Sequence, residues 1–240
     1  MKYLAMMLLA MACGAGAAQA GTLQFFSDHN KIDTNRWFIS HGWSNGDIQS
    51  CEWRADAVTG SNTNIRLTLS DHGGKVRPIG CGELQTKAKN FGYGMYEARM
   101  RSAAGSGLNT AFFTYIGPPN GVPNHDEIDF EFLGKNPKTV QLNYYVDGKP
   151  IDPAIIPLGF DASAEFHTYS FVWEPEKIRW YIDGKLVHET KSGGPLPSHP
   201  GGIYLSLWSG SKIVDEWLGP FQYTKPVSAE YAWVKYTPVR

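Results

Sequence analysis

The chain has 240 residues, with 22 basic and 23 acidic side chains and a formal net charge of −1. No basic run breaks that balance, which speaks against nucleic acid or an anionic membrane surface as a partner. Aromatic residues make up 13% and include 8 Trp, which suits either a large β core or ring platforms that stack on sugars.

Residues 1–20 read as a secretory signal. Met1-Lys2 supplies a positive start, residues 4–12 a short apolar run, and Ala18-Gln19-Ala20 a small-x-small cleavage pattern. The run is too short to span a bilayer. Two other readings compete: a buried N-terminal helix, and a lipoprotein site at Cys13, where Ala10 stands in place of the usual Leu. Residues 21–240 then suit one domain. Cys51 and Cys81 are the cysteines left after cleavage. In an exported chain such a pair predicts a disulfide, the alternative being two buried free thiols. No Cys-x-x-Cys or His-x-x-x-His spacing appears, so no metal site is expected.

Further along, short segments rich in Val, Ile, Tyr, Phe, Thr and Trp are broken by Gly, Pro and Asn, the pattern of an all-β sandwich or barrel. Residues 64–70 alternate Ile65, Leu67 and Leu69 against Arg66, Thr68 and Ser70; residues 93–101 form another candidate strand. Residues 140–146 run into Asp147-Gly148, and residues 177–182 into Asp183-Gly184 and then 185–189. Asp-Gly between two β-rich runs predicts a hairpin turn with positive φ. Residues 192–202 read as a loop, since strand-like sequence resumes at Ile203. No internal repeat or linker is visible.

The most informative stretch is Asp126-Glu127-Ile128-Asp129-Phe130-Glu131-Phe132. On a strand, Glu127, Asp129 and Glu131 share one face, and Ile128, Phe130 and Phe132 share the other. Three acids on one face repel each other, so stability does not explain them. Paired carboxyl groups about 5–5.5 Å apart are what a retaining glycosidase needs. The Cα atoms of residues i and i+4 are roughly 13 Å apart, so the two Glu side chains must lean together. Asp129, between them, is expected to keep a proton on one neighbour through its charge. A solvated edge strand and a cation site are the competing readings.

Glu127-Ile128-Asp129-Phe130-Glu131 resembles the E-x-D-x-E signature of glycoside hydrolase family 16, in the five-residue form of its lichenase branch. The resemblance covers nearly all of residues 21–240. It includes Gly42-Trp43-Ser44-Asn45-Gly46, Cys51-Glu52-Trp53-Arg54, Tyr93-Gly94-Met95-Tyr96-Glu97, Ala111-Phe112-Phe113-Thr114-Tyr115, Phe132-Leu133-Gly134-Lys135, Gln141-Leu142-Asn143-Tyr144-Tyr145, Leu158-Gly159-Phe160-Asp161-Ala162-Ser163 and Asp215-Glu216-Trp217-Leu218-Gly219. It implies an all-β jelly-roll sandwich, concanavalin A-like, with a glycan cleft on the concave sheet. It implies Glu127 as nucleophile, Glu131 as general acid/base and Asp129 as assistant. The same resemblance implies cleft roles for Asn45, Glu83, Phe113, Tyr115, Asn143, Tyr145, Trp208 and Trp217, and it matches Cys51 and Cys81 to the branch's cysteine pair.

Three positions depart from the lichenase pattern. His125 stands where a Trp precedes the catalytic strand, Gln85 replaces a cleft Arg, and Ala232 replaces a calcium-binding Asp. Calcium binding is therefore expected to be weakened or absent, since hard cations favour anionic oxygen ligands. His125, Gln85, Gly107-Leu108-Asn109 and His125-Asp126-Glu127 look closer to bacterial endo-1,3-1,4-β-glycanases of the succinoglycan depolymerase type. There His125 is read as a substrate-binding residue or as a hydrogen-bonding neighbour of the acids. The expectation is a monomeric, cofactor-free, secreted or periplasmic endo-β-glycanase acting on a polysaccharide. A non-catalytic glycan-binding module and a transglycosylase are the alternatives on this fold.

Overall fold

Period-two alternation of apolar residues runs through most of the chain, and each such segment buries its apolar side against another sheet. The computed structural model describes residues 25–28, 31–61, 63–118 and 124–239. The predicted signal at 1–20, with Cys13, lies outside the described residues. In chain order the strands are β1 (Phe25–Ser27), β2 (Trp37–Ile39), β3 (Cys51–Trp53), β4 (Val58–Gly60), β5 (Ile65–Leu69), β6 (Ile79–Thr86), β7 (Gly94–Arg101), β8 (Leu108–Ile116), β9 (Asp126–Leu133), β10 (Thr139–Val146), β11 (Lys149–Pro150), β12 (Ala154–Pro157), β13 (His167–Trp173), β14 (Ile178–Ile182), β15 (Lys185–Glu189), β16 (Gly202–Ser209) and β17 (Val227–Pro238). One short helix, α1 (Asp215–Leu218), precedes β17.

The strands form two sheets. One runs β15-β14-β13-β7-β17-β5-β4, with β1 also on β17; the other runs β11-β10-β9-β8-β16-β6-β2, with β12 on β10 and β3 on β6. Every pair is antiparallel except β3 with β6. The expected all-β sandwich is the fold observed. Its core lies between the sheets: Phe112, Phe130 and Phe132 of the second sheet meet Tyr169 and Phe171 of the first, with centroids 4.7 Å apart for Phe132–Tyr169 and 5.7 Å for Phe112–Phe171. Such ring pairs add to the burial of their area.

Two side chains cross that core with hydrogen bonds. The buried Tyr231 hydroxyl on β17 donates to the Ala111 carbonyl at 2.8 Å. The Trp180 indole on β14 donates to the Asp129 carbonyl at 3.2 Å. Each polar tip is satisfied inside an apolar layer, and each fixes the back of the second sheet beneath the acidic strand.

Both predicted hairpins form. Asp147 and Gly148 have φ of 51° and 76°, and Asp183 and Gly184 have 48° and 77°, the positive pair that a two-residue turn requires. The strand expected from residue 177 starts at Ile178, because the Glu174 N–H closes a turn onto the Lys177 carbonyl. Ala232 sits where the register of β17 on β7 shifts. Among the described residues no helix is long and apolar enough to cross a membrane.

The predicted disulfide is present. Cys51 on β3 and Cys81 on β6 are bonded, with Cα atoms 5.9 Å apart and a sequence separation of 30, and both are fully buried. The paired Cys51→Ser, Cys81→Ser variant should lose about 3–4 kcal/mol of unfolding free energy by the loop-entropy argument. Urea unfolding of the oxidised protein against the double variant measures that loss.

Candidate active site

The second sheet sets the site through its register. Glu127 pairs with Tyr115 on β8 and Tyr145 on β10; Asp129 pairs with Phe113 and Asn143; Glu131 pairs with Ala111 and Gln141. Directly opposed residues point to the same side of a sheet, so these rows continue across the cleft face. The Asp129 row runs through Phe113 to Tyr204 and Gln85, and the Glu131 row through Ala111 to Ser206 and Glu83. Between Glu131 and Glu83 the sheet carries only the small Ala111 and Ser206, a shallow trough between two acids. Ile128, Phe130 and Phe132 are buried on the opposite face. The alternation read from the sequence is therefore the alternation observed.

The three acids have different surroundings. Glu131 accepts from Asn109 Nδ2 at 3.0 Å and from Gln141 Nε2 at 2.8 Å. Burial pushes its pKa up to about 7; those two donors oppose the rise and the Glu127 charge adds to it. Asp129 is buried, and its Oδ2 finds no hydrogen-bond partner among the described residues. Burial first, then the charges of Glu127 and Glu131, raise its pKa well above the carboxylate range. The expectation is a charged Asp129 that keeps a proton on a neighbour; the direction of this shift disfavours that charge. The upward shift falls on the driest member of the row, because charge without solvent or donors costs most there. Glu127 is more open, and its Oε2 lies 2.5 Å from His125 Nε2.

The other expected residues divide into groups. Tyr115 and Tyr145 flank the His125 ring, at 5.0 Å and 4.8 Å between centroids. Phe113 stacks on Tyr204 at 5.0 Å. Asn143, beside Asp129, is buried, and its Oδ1 accepts from the Tyr144 N–H. Trp208 on β16 and Trp217 on α1 stand 6.0 Å apart at one end of the rows, and the Trp217 indole donates to Gln141 Oε1 at 3.0 Å. Asn45 lies in an exposed loop and accepts from the Trp53 indole at 3.4 Å. That loop is tied to the end of β16 by the Ser50 N–H bond to the Ser209 carbonyl. Glu83 is buried, with Oε1 accepting from the Ser40 hydroxyl at 2.6 Å; burial pushes its pKa to about 7.

Four further residues belong to the site and were not singled out from the sequence as binding it. Asn109 and Gln141 hold Glu131. Lys89 and Tyr204 occupy the floor near Gln85: Lys89 Nζ donates to Gln85 Oε1 at 2.7 Å and to the Tyr204 hydroxyl at 2.8 Å, and burial lowers its pKa to about 8. Gln141 was accessible by alternation with Asn143 and Tyr145. Lys89 carried no such signal, because it follows the end of β6 and folds back over Gly202, where a Cβ would come within 2.7 Å of its Nζ. Among the described residues, no group of three or more His, Cys, Asp or Glu side chains is arranged to hold a metal ion.

The family model described as glycosyl hydrolases family 16 matches residues 45–234. The chain is similar to the endo-1,3-1,4-beta-glycanase ExoK of Rhizobium meliloti (strain 1021), at 44% identity over 89% of this chain and 78% of that protein. It is 41% identical to a beta-glucanase of Bacillus subtilis (strain 168), over 97% of this chain and 93% of the relative. Among solved structures it resembles the Bacillus licheniformis beta-glucanase, with a TM-score of 0.83, 40% identity and coverage of 90% and 98% of the two chains.

Two outcomes follow from the electrostatics of Glu131. An acid with a raised pKa in the fold stabilises most below its unfolded value, and that stability drains away as pH rises from 4.5 to about 7. Glu131→Gln should therefore raise Tm relative to the parent at pH 8 and not at pH 4, as read by calorimetry. Gln141→Leu removes a donor to the charged form, so the basic limb of kcat/KM should move up by about half to one pH unit, as followed in a pH–rate profile.

Proposed function

The chain belongs to glycosyl hydrolases family 16, and we propose that its cleft cuts internal bonds of a β-1,3-1,4-linked polysaccharide with Glu127 as nucleophile and Glu131 as general acid/base. The enzyme is a glycoside hydrolase, and retention of configuration is general for the family. The names of its relatives, an endo-1,3-1,4-beta-glycanase and beta-glucanases, support the substrate class.

One observation carries the assignment of roles. The Glu131 carboxyl sits between two amide donors and its pKa is pushed up to about 7, while Glu127, four residues earlier on the same face, meets the His125 imidazole. Two carboxyl groups in unlike environments divide into acid and nucleophile. In the first step an oxygen of Glu127 attacks the anomeric carbon, the glycosidic C–O bond breaks, and the Glu131 proton passes to the leaving oxygen. In the second, water attacks that carbon and gives its proton to Glu131, and the ester bond to Glu127 breaks. Asp129 between them, its pKa raised by burial, adds less negative charge to the row. Nucleophile and proton both come from this chain, so the scheme needs no cofactor, and the cleft is complete within one chain, which supports a monomer. The signal-like segment at 1–20 and the buried disulfide support export to a periplasm or beyond.

Glu127→Gln should abolish turnover while binding of the polysaccharide persists. Glu131→Gln should lower kcat on polysaccharide by about 10²–10⁴-fold, with a much smaller loss in glycosylation by an aryl glycoside whose leaving group needs no proton. A panel of mixed-linkage β-glucan, laminarin and acylated bacterial exopolysaccharide, with products sized, tests the substrate. Cleavage of laminarin alone overturns the proposed linkage class.

A further inference from the structure

His125 precedes β9 by one residue, yet it continues the acidic row: His125, Glu127, Asp129 and Glu131 follow one another at every second position. Its ring is held from several directions. Tyr145 stacks on it at 4.8 Å and 13°, and Tyr115 leans on it at 5.0 Å and 57°. The His125 carbonyl accepts from the Gly148 N–H at 2.8 Å. The next residue, Asp126, is buried and accepts from the N–H groups of Ser198, His199 and Asp147 and from the His199 ring. Gly117 lets the chain pass close by, since a Cβ there would meet His125 Cα at 3.1 Å and the Tyr115 hydroxyl at 2.9 Å. Packing alone would be met by any aromatic ring. What the imidazole adds is Nε2, placed 2.5 Å from Glu127 Oε2.

We propose that His125 is a positioning residue for the nucleophile: it donates Nε2–H to Oε2 of Glu127, holds the carboxylate so that its other oxygen faces the anomeric carbon, and stabilises it as the leaving group of the second step. This rests on the reading of Glu127 as nucleophile. An ionised carboxylate only accepts, so the proton of the pair belongs to the imidazole nitrogen. In the first step Oε1 forms the ester, and the N–H remains on the ester carbonyl. In the second, the C–O bond breaks, the electron pair returns to Glu127, and the N–H meets the charge as it develops, which is where a fixed donor has most effect. The histidine proton itself is not transferred. The titratable groups around Glu127 are Tyr115 from β8, Tyr145 from β10, Asp129 and Glu131 on its own strand, and Glu83 across the trough. Among the described residues, the side-chain hydrogen bond to Glu127 that the row shows is the one from His125.

His125→Phe keeps a ring for Tyr145 and removes the N–H; His125→Gln keeps a donor and removes the ring. For the Phe variant, kcat on β-glucan should fall about 10- to 100-fold with KM changed by no more than about twofold. The acidic limb of kcat/KM should move to higher pH, because a carboxylate without its donor holds its proton more tightly. With an aryl β-glycoside as substrate, the glycosyl-enzyme should accumulate in the Phe variant and appear by mass spectrometry. The Gln variant should recover the limb and part of kcat. Wild-type kcat and limb in a folded Phe variant overturn the proposal, as does a loss shared equally by both variants and confined to KM. If the Phe variant does not fold, failure of the Gln variant to keep the wild-type acidic limb overturns it. Retained turnover in Glu127→Gln would instead sink the assignment of the nucleophile, a separate failure read in a separate variant.

Discussion

Everything at the site depends on β9 being buried on its inner face and paired on both edges. Its inward face joins the aromatic core through Ile128, Phe130 and Phe132. Its edges are saturated by β8 and β10, and the Trp180 indole reaches across the core to the Asp129 carbonyl. No backbone group of that segment has reason to move, so three acidic side chains can be crowded on the outward face without the strand peeling away. The stability of the sandwich carries the cost of their repulsion.

The same central position determines how the acids differ. A strand in the middle of a sheet leaves little solvent at its mid-point, so Asp129 is dry and its pKa is raised. One step along, Glu131 is half-relieved by two amide donors from flanking strands. At the open end Glu127 meets an imidazole. Three like residues are thereby given three environments by neighbours on β8, β10 and the loop before β9, and this differentiation is what an acid and a nucleophile in one cleft require.

Charge at the far side of the trough follows the same logic. Glu83 and Lys89 are both drawn toward neutrality by burial, and each is held by neutral partners, Ser40 and Gln85 for one, Gln85 and Tyr204 for the other. Gln85 bridges the two. The cleft thus presents a polar, weakly charged floor at this end.

From the sequence alone came the fold class, both Asp-Gly hairpins, the pairing of Cys51 with Cys81 and the shared face of Glu127, Asp129 and Glu131. All of these follow from local rules: period-two alternation, turn residues that need positive φ, and a count of cysteines. Only the tertiary structure decided which strands lie beside β9, and hence that Asn109 and Gln141 hold Glu131, that Lys89 folds over Gly202, and that His125 points at Glu127. It also raised the pKa of Asp129. Burial and cross-strand neighbours set these properties, and they arise from contacts between residues distant in the chain, which no local pattern records.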